Sequence, residues 1–121
     1  MPFFSISQAF AGVTATTIYS LGYPVGLAED SSGNIYIADD HNPDASKKGI
    51  VVVPATTGTL FGQAVTAGTP KTIVAVSNPA GIAISSGGIL VWSLANGDIY
   101  GLSNSGQTLF GVSLTANTVT Q

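Results

Sequence analysis

Five of the six acidic residues in this chain, Glu29, Asp30, Asp39, Asp40 and Asp44, cluster with Lys47, Lys48 and the single histidine, His41. Asp40, Asn42 and Asp44 stand at an Asp-x-Asn-x-Asp spacing that can aim three oxygen ligands at Ca²⁺. An EF-hand loop needs glycine at its sixth position, and here that residue is Ala45; the distal bidentate glutamate is also missing, and Pro43 restricts the turn. The segment is therefore expected to be a solvated loop whose Asp and Asn residues cap turns. Other chemistries have less to work with. No Gly-x-Ser-x-Gly elbow is present, and a Ser-His-Asp triad would have to draw on His41. Asp39 and Asp40 are neighbours, and neighbours on an extended strand point to opposite faces, so they make a poor acid–base pair. Zero cysteines remove thiol catalysis, thiolate metal sites and disulfides together. Trp92, Tyr36 and Tyr100, with hydroxyl and amide neighbours, would suit a glycan. All three fall on predicted strands, where aromatic side chains fill the space between sheets, so core packing is expected of them. The chain is expected not to be an enzyme, with no catalytic residue, no metal ligand and no cofactor assigned.

The elements that would have to position such groups are fixed by an unusual composition. The chain has 121 residues, one domain at most by length. Only 7% are charged, against about 25% in an average soluble domain. Three lysines, no arginine and a net charge of −3 exclude a phosphate-binding surface, so no nucleic-acid partner is expected. No apolar run approaches the roughly 20 residues of a membrane span. A surface of hydroxyls, amides and glycine suits an extracellular or cell-surface protein better than a charge-stabilised cytosolic one. Residues 1–7 lack the basic start of a secretory signal, so export would use another route or a start outside this chain.

The chain repeats itself. Pro24-Val25-Gly26-Leu27-Ala28 returns 55 positions later as Pro79-Ala80-Gly81-Ile82-Ala83. Ser32-Gly33-Asn34-Ile35-Tyr36-Ile37 answers to Ser86-Gly87-Gly88-Ile89-Leu90-Val91 after one deletion, which sets Trp92 against Ala38. Thr59-Leu60-Phe61-Gly62 returns 49 positions later as Thr108-Leu109-Phe110-Gly111, the difference falling in the loop 39–48. Residues 8–18 match 63–73 at the 55-residue shift. Two units are read, about 5–58 and 59–107, with a terminal overlapping strand at about 108–121. Strands are predicted at 35–38, 49–53, 60–65 and 73–76, then at 82–84, 89–92, 99–102 and 109–114, and no window carries helical spacing with caps. Gly49-Ile50-Val51-Val52-Val53 is apolar on both faces, as a strand between two packed layers must be. The expected fold is all-β, two four-stranded antiparallel repeats.

The motif from Pro24 to Asp39, a Pro-x-Gly-Leu-Ala strand followed by Gly-Asn-Ile-Tyr-Ile-Ala-Asp, resembles the unit of NHL-repeat β-propellers of the secreted bacterial type. The segment 54–68 is similar to a linker that recurs in such arrays. The second unit departs from the pattern, with Trp92-Ser93 for Ala38-Asp39 and Ser85 for Asp30. The resemblance implies blades of a propeller. Some proteins of this type are metal-dependent lyases, an activity that would need several histidines where this chain has one.

A propeller closes with about 4–8 blades, and two leave both outer faces and their strand edges open. Residues 8–11 resemble 112–115, so the C-terminal strand of one copy can stand where the N-terminal strand of the next does. The expected role is a structural or binding module that associates with copies of itself head to tail, into a ring or a filament. The alternatives are a fragment of a larger propeller that binds a glycan or peptide and, third, a metal-dependent lyase.

Overall fold

The computed structural model describes residues 9–10, 12–17, 19–40 and 48–121. Its strands are β1 (Ala9–Phe10), β2 (Val13–Thr14), β3 (Pro24–Glu29), β4 (Ile35–Asp39), β5 (Gly49–Val53), β6 (Gly58–Leu60), β7 (Gln63–Val65), β8 (Lys71–Ala75), β9 (Pro79–Ile84), β10 (Leu90–Leu94), β11 (Ile99–Leu102), β12 (Gln107–Leu109) and β13 (Val112–Leu114). The fold is all-β, every paired strand is antiparallel, and among the described residues no helix is long and apolar enough to cross a membrane.

Two larger sheets carry the architecture. The first runs β3-β4-β5-β8 and the second β9-β10-β11, with hairpins β1-β2, β6-β7 and β12-β13 beside them. The second sheet has three strands rather than the expected four. A single bridge, Gly101 to Thr120, adjoins its β11 edge.

The predicted strands at 60–65 and 109–114 are each a hairpin instead. Phe61 and Gly62 turn the chain with φ of 50° and 77°, and Phe110 and Gly111 with 50° and 79°. Two consecutive residues at positive φ make the tight reversal whose twist suits a hairpin, and glycine bears the second without steric cost.

The strand register also corrects the repeat alignment. Leu27 pairs with Ile37 as Ile82 pairs with Trp92, and Gly26 pairs with Ala38 as Gly81 pairs with Ser93. The 55-residue shift therefore holds without a deletion, and Trp92 takes the place of Ile37, not Ala38. The intervening turns agree. Asp30 and Ser85 both accept from a glycine three residues on, Gly33 and Gly88, and both donate to the carbonyl of the residue after that glycine, Asn34 or Ile89.

Side chains alternate along a strand, and directly opposed pairs share a face. Gly26, Tyr36, Ala38, Ile50 and Val52 thus share one face of the first sheet, and Ile82, Leu90, Trp92, Tyr100 and Leu102 share one face of the second. These two sets meet in one apolar core, into which Phe61, Val65 and Ile73 also pack. A Cβ on Gly26 would lie 3.4 Å from Cγ2 of Ile82, so the sheets approach closely there. In repeat terms the faces differ. The inner face of the first sheet corresponds to the outer face of the second, so the sheets stack front to back.

Candidate functional site

The residues with chemical potential are mostly tied into the framework. Asp39 is fully buried and accepts from the backbone N–H of Tyr23 at 2.8 Å and of Gly22 at 3.3 Å, closing the chain onto the end of β4. Asp40 donates its backbone N–H to the Tyr23 carbonyl. His41, Asn42 and Asp44, and with them the test of a Ca²⁺ loop, lie outside the described residues. Asp30 accepts from the backbone N–H of Ser32 and Asn34 through Oδ1, and from Asn34 Nδ2 and the Tyr36 hydroxyl through Oδ2. Burial, then the charge of Asp30 and the hydrogen bond to it, hold the Tyr36 hydroxyl well above the ordinary tyrosine range. Asn34 carries the network onward by accepting from the Ala55 N–H.

None of the three aromatic candidates offers an open platform for a sugar. Tyr36 is buried edge-on to Phe61, their rings 5.9 Å apart at 69°. Trp92 is buried and stacked on half-buried Tyr100 at 5.9 Å and 13°. Among the described residues, Trp92 Nε1 has no hydrogen-bond acceptor, which fits a residue held for its volume.

The feature that stands out is a contrast between equivalent positions. Ile50 is 0% exposed, but Ile99, which has the same place in the register, is 59% exposed. Phe61 is 4% exposed and its counterpart Phe110 is 90% exposed, although they sit on equivalent turns with the same φ. What covers Phe61 is visible. Its hairpin reaches over the second unit, where Asn104 Oδ1 accepts the Phe61 N–H and Asn117 lies against Gly62. On the opposite side of the chain, Leu27 of β3 is 68% exposed where its counterpart Ile82 is packed against the core.

Ile99 and Phe110 border an apolar groove of about 230 Å³, lined also by Val91, Leu109, Val112 and Leu114. Small-molecule sites run to about 300–1,000 Å³ with a few convergent polar groups. This groove is smaller and almost wholly apolar, a shape for side chains rather than for a substrate. No family model matches the sequence, and no curated protein matches it.

None of Leu27, Ile99 and Phe110 stands out by residue type. The signal that could have found them was the repeat itself. Once aligned at 55 and 49 residues, it predicts which residues would be covered if another unit followed on either side.

Proposed function

We propose that the two sheets are NHL-like propeller blades and that the chain is a non-enzymatic, extracellular structural module. It associates with copies of itself head to tail. The outer face of the second sheet in one copy packs on the outer face of the first sheet in the next at Leu27, since Ile37 and Val51 on that face are already covered within the chain. The observation that carries this reading is the paired contrast of Phe61 with Phe110 and of Ile50 with Ile99. The surface composition supports the extracellular setting, since 7% charged residues give little of the charge by which cytosolic proteins stay apart.

Magnitudes constrain the interface. Burying Leu27, Ile99 or Phe110 contributes about 1.5–3 kcal/mol each. Association costs about 4–15 kcal/mol in lost freedom and ordering. Three anchors alone barely offset that cost, so a stable assembly needs main-chain hydrogen bonds as well.

Sedimentation and light scattering over a concentration series test the proposal. The expected result is a mass that rises in multiples of 12.2 kDa, and a shift to monomer in Phe110→Asp. A chain that stays monomeric at all concentrations, or a Phe110→Asp variant that assembles normally, overturns it.

A further inference from the structure

We propose that Tyr19 and Ser20 of a second copy complete the outer strand of the second sheet, pairing with Ile99 and Asp98 on the open edge of β11. This rests on the head-to-tail reading and names the strand through which it is made.

The first sheet supplies the template. There β8 lies along β5, with Val52 opposite Lys71, Val51 opposite Thr72, Ile50 opposite Val74 and Gly49 opposite Ala75. The second sheet starts the same strand in the same register. Gly101 and Thr120, each 49 positions later than Val52 and Lys71, exchange both backbone hydrogen bonds, at 2.7 and 2.9 Å. At Ile99 and Asp98 the edge of β11 then meets no strand among the described residues. An edge of this kind presents unpaired N–H and C=O groups to another chain.

The sequence that fits this edge is already in the molecule. Thr72-Ile73-Val74-Ala75 of β8 has its counterpart 55 positions earlier in Thr17-Ile18-Tyr19-Ser20. Tyr19 and Ser20 therefore hold the places of Val74 and Ala75, the partners of Ile50 and Gly49. Both are exposed, and neither belongs to a strand in the isolated chain.

Connectivity brings them to the right location, with residues 12–17 of the incoming copy turning aside from the place that their counterparts 116–121 already hold beside Gly101. β8 leads within three residues into β9, the strand by which the second sheet packs on the first. Residues 19 and 20 likewise lead within three residues into β3. The operation that stacks the first sheet of one copy on the second sheet of another therefore sets Tyr19 and Ser20 beside β11. It also lays Tyr19 on the same face as Ile99, an aromatic and β-branched cross-strand pair.

Because the chain has no cysteine, cross-linking gives a clean test. Opposed residues in an antiparallel pair have Cα atoms about 4.5–5.5 Å apart, within the span of a disulfide. Tyr19→Cys protein is mixed with Ile99→Cys protein, oxidised and weighed by mass spectrometry. Ser20→Cys with Asp98→Cys, which leaves the apolar groove untouched, serves as a second pair. The expected product is a linked dimer containing one chain of each kind in both mixtures. Wild-type chains that assemble while neither mixture gives the mixed dimer overturn the strand donation and leave the face-to-face packing standing. Wild-type chains that do not assemble remove the head-to-tail reading, and this inference with it.

Discussion

Among the described residues Asp30 brings four donors onto two oxygens, and its place in the second unit is taken by Ser85, whose hydroxyl accepts from the Ile89 N–H. The additional donors in the first unit are the Ser32 N–H, the Asn34 side-chain amide and the Tyr36 hydroxyl, the last of which ties the turn to the inner face of the sheet. This arrangement gives the fold an alkaline limit. The Tyr36 hydroxyl is held above its ordinary pKa of 10.0 by burial first, and by Asp30 second. Below pH 10 the proton is bound in both folded and unfolded chains, so the contribution of the site is complete there. Above it the unfolded chain releases the proton while the folded chain keeps it, and stability falls as pH rises. Urea midpoints for wild type are expected to drop between pH 9 and pH 11, with a shallower drop in Tyr36→Phe. Equal slopes in the two proteins would remove Tyr36 as the cause.

Between residue and sheet, the hairpins β6-β7 and β12-β13 are a matched pair in sequence and backbone, with opposite surroundings. Phe61→Ala removes a ring from the core, and a cost of about 3–5 kcal/mol is expected. Phe110→Ala removes one from solvent, and a change within about 0.5 kcal/mol is expected under conditions where the chain is monomeric. Denaturant titration of both variants checks the contrast, and similar losses at the two positions would mean that Phe110 is covered. The elements themselves were partly legible. β5 and β11 fall where their β-branched and aromatic runs predict, and the repeat of Pro-x-Gly with Gly-rich turns marked the two units. The hairpins were not, because Phe-Gly carries none of the Asn-Gly turn chemistry, and the apolar character of Leu60 to Val65 reads as continuous strand. The register of β10 was misplaced for a related reason. Ile89 resembles Ile35 in type, whereas the turn bonds put it in the place of Asn34, and only backbone pairing distinguishes the two. The exposure of Phe110 was hidden as well, since a sequence pattern marks a position as apolar without saying what lies against it.

For the whole molecule the decisive property is that its two outer faces differ. Leu27 lies on one and Phe110 stands beside the other, so a head-to-tail contact always joins unlike surfaces, whereas a two-fold contact would join like ones. In the proposed contact, aspartate at either position would bury an unpaired charge, at a cost of several kcal/mol that is expected to break it. Leu27→Asp alone and Phe110→Asp alone are thus both expected to be monomeric. Their mixture is not. A Leu27→Asp chain still has an intact Phe110 side, and a Phe110→Asp chain still has an intact Leu27 side, so one contact can form between them and no second can follow. Native mass spectrometry of the mixture is expected to find a dimer with one chain of each variant and nothing larger, whether the wild-type assembly closes or extends. The proposed contact is apolar, so 1 M NaCl is expected to leave that dimer intact, whereas a contact built on ion pairs would dissociate under such screening. A mixture that remains monomeric, or homodimers of either variant, would show that the two outer faces do not serve each other.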